Sequence, residues 1–254
     1  MNRQRPVALV TGGRRGIGLG IARALAAKGF DLAITDVQND ETMIHELRGL
    51  GGKVAFFKSD LAAVETHEET IAAVLNEFGG IDCLVNNAGM GSVERGDFLG
   101  LKPENFDTIM DVNLRGTVFF TQAVVKAMLA ANEVHFPRSI ITISSVSSVM
   151  TSPERLDYCI SKAGLTAFVQ GLALRLAEAR IGVFEVRPGI IRTDMTAKVA
   201  ERYDTLIDGG LVPMKRWGEA GDVGAIVAGL AGGDFIFATG SAINADGGLS
   251  IAKL

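Results

Sequence analysis

Seven short runs of apolar residues, at 6–11, 31–35, 53–58, 82–86, 139–144, 181–187 and 240–245, alternate with longer stretches whose apolar positions return every three or four residues. The short uninterrupted runs predict strands buried on both faces. The longer stretches, at about 16–29, 39–51, 64–79, 103–132, 157–180 and 219–231, predict helices. Strict alternation of the two predicts an α/β architecture, a parallel sheet covered by helices on both faces. Ligands in such sheets sit beyond the carboxyl ends of the strands. No repeat, low-complexity tract or linker divides the chain, so residues 1–254 read as a single domain.

The first predicted strand runs into Thr11-Gly12-Gly13-Arg14-Arg15-Gly16-Ile17-Gly18, followed from Leu19 by helical spacing. A strand, a glycine turn and a helix bring a pyrophosphate onto free helical N–H groups, and glycine allows both the tight turn and the close approach. A glycine-rich turn alone is often only a turn. The second predicted strand ends in Asp36, twenty residues after Gly16. A carboxylate there accepts hydrogen bonds from the ribose hydroxyls of an adenosine and repels a 2′-phosphate, which favours NAD(H) over NADP(H). Arg14 and Arg15 argue the other way, since either could reach a 2′-phosphate; both also read as solvated turn residues or as contacts to the pyrophosphate.

Ser145 follows the fifth apolar run, and Tyr158 and Lys162 lie thirteen and seventeen residues beyond it. On a helix over 157–180 the phenol and the ammonium share one face, one turn apart. A free phenol has a pKa of about 10 and is a poor proton acceptor at neutral pH unless a nearby cation favours the phenolate. Lys162 can supply that charge, and the Ser145 hydroxyl can hold a substrate oxygen against the tyrosine. Taken alone, the spacing also describes an ordinary pair on an amphipathic helix with the lysine stem over apolar surface.

The glycine turn, the acidic strand end, Asn86-Asn87-Ala88-Gly89 and Ser145-Tyr158-Lys162, in this order, resemble the short-chain dehydrogenase/reductase family over nearly the whole chain. The resemblance implies a single-domain Rossmann fold, a doubly wound seven-stranded parallel sheet, with a substrate lid at about 190–217. It implies Asn113, Ser145, Tyr158 and Lys162 as catalytic residues. It implies cofactor contacts from Gly12, Arg14, Arg15, Gly16, Ile17, Gly18, Asp36, Asp60, Leu61, Asn87, Ala88, Gly89, Tyr158, Lys162, Pro188, Gly189, Ile191 and Thr193. In the reaction so implied, a ketone oxygen bonds to Ser145 and Tyr158, and Tyr158 delivers a proton as a hydride arrives from nicotinamide. Lys162 would lower the pKa of the phenol and bind the ribose hydroxyls, and the Asn113 backbone would hold a water leading to solvent. A homotetramer is implied as well, with the helices at 103–132 and 157–180 pairing across one two-fold axis; Phe119, Phe120, Val124, Val125, Phe168, Leu172 and Leu176 offer the apolar surface.

Composition changes this picture little. A net charge of −4 and 48% hydrophobic residues give no reason to expect nucleic acid or an anionic membrane as partner. No apolar stretch approaches membrane-spanning length, and the residues before the first strand lack an apolar leader segment, so a cytoplasmic location is expected. Cys83 and Cys159 suit core filling rather than a disulfide framework, because one step along a helix turns Cys159 about 100° away from Tyr158. His45, His67 and His135 lack ligand spacing, so no metal site is expected.

The substrate is the least legible part. Met195, Tyr203, Leu206, Leu211, Val212, Met214 and Trp217 in the lid, with Met90, Val146 and Met150, could line an apolar pocket or simply pack the lid. Arg192 and Lys198 are the lid cations placed to meet a substrate carboxylate. Overall spacing and the ending Asp246-Gly247-Gly248 most resemble the 3-oxoacyl-acyl-carrier-protein reductases, which implies an acyl-thioester substrate, acyl-carrier protein as partner and a place in fatty acid synthesis. Arg138 and Arg180 are the candidates to receive an acidic carrier. A dehydrogenase of sugars, polyols or other small secondary alcohols shares the same skeleton. A non-catalytic NAD(H)-binding sensor or scaffold would be marked by a broken Asn113-Ser145-Tyr158-Lys162 set, which is intact here.

Overall fold

The structure, a computed structural model, describes residues 3–197 and 200–252, with only the backbone of Met195. The strands β1 (Val7–Thr11), β2 (Asp31–Asp36), β3 (Val54–Lys58), β4 (Cys83–Asn86), β5 (Arg138–Ile143), β6 (Ile181–Pro188) and β7 (Ala242–Ala245) form one seven-stranded sheet in the order β3-β2-β1-β4-β5-β6-β7. All six pairings are parallel. The order reverses between β1 and β4, which opens a crevice at the carboxyl ends of those two strands.

The strands are apolar without alternation because both faces are covered. Ala8 and Val10 of β1 belong to one core with Ile21, Leu25 and Val227, while Val7 and Leu9 belong to another with Val124, Val169 and Leu176. The first core lies under α1 (Gly16–Ala27) and its neighbours α2 (Glu41–Arg48) and α9 (Ala220–Ala231). The second lies under α3 (His67–Phe78), α5 (Thr117–Ala130) and α6 (Leu156–Leu176). Cys83 is fully buried on β4, and burial pushes its thiol up to about 12, which leaves it inert as a nucleophile. Cys159 is buried at the start of α6, its Sγ accepting from the Ser152 N–H at 3.4 Å, in keeping with a packing role.

One expectation from periodicity is revised. The predicted helix at 103–132 is broken into α4 (Pro103–Met110), a π-type turn over Asp111–Gly116, and α5. Gly116 ends the π turn against the Leu61 carbonyl, 2.3 Å from where a Cβ would stand, so only glycine lets the segment lie there. The predicted lid is two short helices, α7 (Asp194–Ala197) and α8 (Ala200–Asp208), over a small core of Ile207, Val212 and Trp217.

Candidate functional site

Three helices show how the cofactor end is built. The N-terminus of α2 is capped by Asp40, whose Oδ1 accepts the Met43 N–H at 3.1 Å, and α9 carries a capping box of Glu219 and Asp222. The N-cap of α1 is Arg15, which makes no side-chain cap bond. The first-turn N–H groups of a helix have no intrahelical partners, and an anion is the natural acceptor when no side chain serves. Gly16 holds φ at +54°, a conformation costly for other residues, and a Cβ on Gly18 would stand 2.1 Å from the Gly12 carbonyl oxygen. The turn is therefore a cradle with its walls left off, at the crevice where the sheet order reverses.

Asp36 ends β2 beside this turn, half-buried, with Arg14 Nε 3.5 Å from its Oδ1. Arg15 points outward to Asp194 at the root of the lid. Asp60 is exposed and turns back on its own loop, accepting the Ala62 N–H at 3.0 Å. The Leu61 side chain lies in the core and its carbonyl accepts from His67 Nε2 at 3.1 Å. Ala88 and Gly89 line the opposite wall, where Gly12 would carry a Cβ 2.9 Å from Ala88 Cα. Asn87 is a brace: its Nδ2 donates to the carbonyls of Thr11 and Gly12 at 2.9 and 3.0 Å. Thr11 completes that brace, its Oγ1 accepting the N–H groups of Asn87 and Ala88, both at 3.0 Å. Pro188 closes β6, and the Gly189 N–H donates to the Ala245 carbonyl at 3.0 Å. The Ile191 side chain is core and its carbonyl accepts from Thr196 Oγ1 at 2.9 Å, while Thr193 packs against Gly16. Adenosine-side carboxylate, uncapped helix and open glycine turn fit a dinucleotide.

The four residues expected to carry chemistry meet at the carboxyl ends of β4 and β5. Ser145 stands beside the Tyr158 phenol, close enough to lower its pKa. Its own Oγ also accepts the Ser147 N–H at 3.0 Å, which fixes the hydroxyl at the head of a short turn. Lys162 Nζ lies 5.7 Å from the Tyr158 ring centroid and donates to the Ile143 carbonyl at 3.1 Å. Asn113, fully buried in the π turn, clamps the walls together: its Oδ1 accepts the Met90 N–H at 2.8 Å, and its Nδ2 donates to the Met90 carbonyl at 2.9 Å and to Ser161 Oγ at 3.1 Å. A π turn inside a helix frequently marks a functional site.

The electrostatics differ from expectation at one point. Burial pushes the Tyr158 phenol above its ordinary value, while the Ser145 hydroxyl and the Arg155 guanidinium, 5.4 Å from the ring centroid, pull it down. Burial brings Lys162 itself down to about 8, against the opposing charge of Glu185. Desolvation thus acts on both groups, and with its pKa raised Tyr158 is in its proton-donating form at neutral pH.

Elsewhere the structure reassigns residues. Val212 and Trp217 pack with Ile207 in a small core and, with Met214, also line a cavity of about 260 Å³. Tyr203 packs edge-on against Trp217, centroids 5.8 Å apart. Arg192 stacks over Trp217 at 4.7 Å and reaches Asp204 and Glu219, so it is engaged within the lid. The Met195 side chain and Lys198 lie outside the described residues. Arg138 and Arg180 stand at the amino ends of β5 and β6, the edge of the sheet opposite Ser145, and Arg138 is buried against the Met128 carbonyl. Both therefore stand away from the end of the sheet that carries Ser145. Phe120, Val124 and Leu176 are wholly buried within the chain, while Phe119 stays 39% exposed. Among the described residues no cluster of metal-binding side chains occurs, and no helix is long and apolar enough to cross a membrane. Thr11, Ser161 and Glu185 were missed: single threonines, serines and a lone acidic residue in a strand carry no spacing signal.

A family model described as enoyl-(acyl carrier protein) reductase matches residues 12–250. The chain is 36% identical over 254 residues to the 3-oxoacyl-[acyl-carrier-protein] reductase of Escherichia coli, covering 98% of this chain and 99% of that protein. It is 32% identical to the reductase of the same name from Thermotoga maritima, covering 99% and 100%. A crystal structure of 3-oxoacyl-[acyl-carrier protein] reductase from Brucella melitensis in complex with NAD superposes with a TM-score of 0.99 at 91% identity, over 100% of both chains. The chain belongs to the short-chain dehydrogenase/reductase family. Within it the chain is a 3-oxoacyl-[acyl-carrier-protein] reductase-like oxidoreductase with a nicotinamide cofactor, acting between C=O and CH–OH groups.

Proposed function

We propose that the chain reduces the keto group of a 3-oxoacyl thioester, with Asn113, Ser145, Tyr158 and Lys162 as the working residues. The observation that carries this is the meeting of the Tyr158 ring with Lys162 Nζ, 5.7 Å from its centroid, at the strand end where Ser145 heads a short turn and Ile143 takes the ammonium. The Ser145 hydroxyl and the Tyr158 phenol hold the ketone oxygen from two sides. A bound nicotinamide supplies the hydride at the carbonyl carbon. Tyr158, raised by burial, gives its proton to the oxygen as negative charge develops there. Lys162 spends one bond on Ile143, and an ammonium has three donors, so the remaining ones can serve a ribose and a proton path. Asn113 keeps the β4 loop and α6 at fixed separation.

NAD(H) is the preferred cofactor in this reading, supported by Asp36 at the ribose end and by the NAD complex of the Brucella melitensis relative. Gly12, Gly16, Ile17 and Gly18 would hold the pyrophosphate, the Leu61 backbone and Asp60 the adenine side, and the Ile191 backbone and Thr193 the carboxamide. The substrate arrives on acyl-carrier protein, as the names of the relatives suggest, and the working form is a cytoplasmic homotetramer. Exposed Phe119, Ile160, Leu174 and Phe237 support the tetramer; a monomeric mass in light scattering at micromolar concentration would refute it.

The deciding assay follows NADH and NADPH oxidation at 340 nm with an acetoacetyl thioester, free and on carrier protein, beside a crotonyl thioester and a panel of polyols and sugars with NAD⁺. Rapid keto reduction, faster on the carrier, is expected. Turnover confined to alcohols would move the substrate to secondary-alcohol metabolism, and turnover confined to the crotonyl thioester would move it to the double bond.

A further inference from the structure

We propose that Glu185 is a positioning residue for the reaction, tying the segments that carry Ser145 and Lys162 into one unit. The inference rests on the reading of Lys162 given above. Glu185 is 1% exposed on β6, between Phe184 and Val186, where a carboxylate is costly unless fully partnered. Its Oε1 accepts from Ser144 Oγ at 2.5 Å, Thr166 Oγ1 at 2.8 Å, Arg187 Nε at 2.8 Å and Ser148 Oγ at 3.5 Å, and its Oε2 accepts from Arg187 Nη2 at 2.9 Å.

Each hydroxyl in that set is next to a working group. Ser144 stands between Ile143, whose carbonyl takes the Lys162 ammonium, and Ser145. Ser148 also donates to the Ser145 carbonyl at 2.8 Å, which closes the turn that orients the serine. Thr166 follows Lys162 by four residues and so lies on the same face of α6. Arg187 balances the Glu185 charge but reaches neither Ser145 nor α6 beyond Thr166. A buried ion pair by itself contributes little that apolar packing could not replace, so stability does not account for the Ser144 and Thr166 hydroxyls converging on one oxygen, with Ser148 at its edge spending its proton on Ser145.

The charged and titratable groups around Lys162 are Tyr158 on its own helix, Asp157 and Arg155 at the start of that helix, and Glu185 with Arg187 on β6; the π turn presents the neutral Asn113. Glu185 is the one whose charge acts on Lys162. Removing the carboxylate therefore favours the neutral amine, and removing Arg187 leaves the carboxylate uncompensated and favours the ammonium. Opposite displacements by the two partners are what a purely structural role would not produce.

The test is an NMR titration of ¹³C-lysine-labelled protein without cofactor, with Lys162 assigned from the K162R spectrum, on wild type, E185Q and R187Q. The wild-type midpoint is expected near 8, lower by about one unit in E185Q and higher in R187Q. The alkaline limb of acetoacetyl-thioester reduction should move with it. Midpoints unmoved in both variants would overturn the proposal, even if turnover fell equally at every pH. If circular dichroism shows E185Q unfolded, R187Q decides alone, an upward shift supporting the proposal and an unmoved midpoint overturning it. Wild-type rates in Y158F would instead refute the reading of the site, and the titration would stand apart from that failure.

Discussion

Buried charge occurs at both edges of the sheet, and the two clusters differ in what meets the charge. At the amino edge Asp82, 1% exposed at its side chain, takes both guanidinium nitrogens of Arg3 and the Val7 N–H at 2.8 Å. Arg138 nearby donates to the Met128 carbonyl at 2.5 Å and Arg3 lies over the Phe136 ring at 5.6 Å. At the carboxyl edge Lys162 has a single bond, to Ile143, among the described residues. Both edges have taken charge out of water, and among the described residues Arg138 Nε at the amino edge is left without a partner too, but there Asp82 meets an opposite charge directly while Lys162 meets only a carbonyl. A directly paired buried charge holds a fold together; a buried cation bonded only to a carbonyl keeps donors that a ligand can use.

The sharpest way to break this contrast is at the tyrosine. Y158F keeps the ring in place and removes the proton donor, so steady-state turnover should fall by about 10² to 10⁴-fold, with NADH affinity by fluorescence and the melting temperature nearly unchanged. Retained turnover would mean the carboxyl-edge cluster is structural like the other. The mirror experiment is D82A, which should cost about 3 kcal/mol of unfolding free energy in urea, because it strands Arg3 and the Val7 N–H, while turnover per folded molecule stays at the wild-type value. A catalytic defect out of proportion to the folded fraction would erase the distinction between the edges.

Two smaller effects refine it. D36A should narrow the ratio of kcat/KM for NADH over NADPH by about tenfold, roughly 1.4 kcal/mol, and Arg14, freed from its partner 3.5 Å away, should then favour the 2′-phosphate. An unchanged ratio would shift the choice to Arg15. His67 lies between the edges, its Nε2 bonded to the Leu61 carbonyl and its pKa lowered chiefly by burial. With the folded value below the unfolded value of about 6.5, the unfolded chain takes up the proton first. His67 therefore contributes stability above about pH 6.5 that is lost as the pH falls below it. Urea melts at pH 7.5 and 5.5 should show that decline, and H67Q should flatten it; an equal decline in both would assign the loss to carboxylates.

Local sequence carried the strands, because a parallel strand covered on both faces is mostly apolar on both, as Val7 to Val10 show. It also carried the glycine turn and the Tyr158–Lys162 pair, since a positive φ at Gly16 and one helical turn between two side chains are properties of neighbours in the chain. What it could not carry were features made by distant segments meeting. The π turn at Asp111–Gly116 sits inside a stretch whose apolar spacing reads as one helix, and Leu61 and Met90, far away in sequence, are its contacts. Arg138 looks like any surface cation until the sheet buries it at the edge away from Ser145.

The phenol shows the same division at the scale of one group. Sequence placed the lysine beside the tyrosine and so determined which chemistry was available. The direction in which each pKa moves was decided by the fold, because desolvation depends on everything packed around Tyr158 and Lys162, while a spacing of four residues specifies only their distance along a helix.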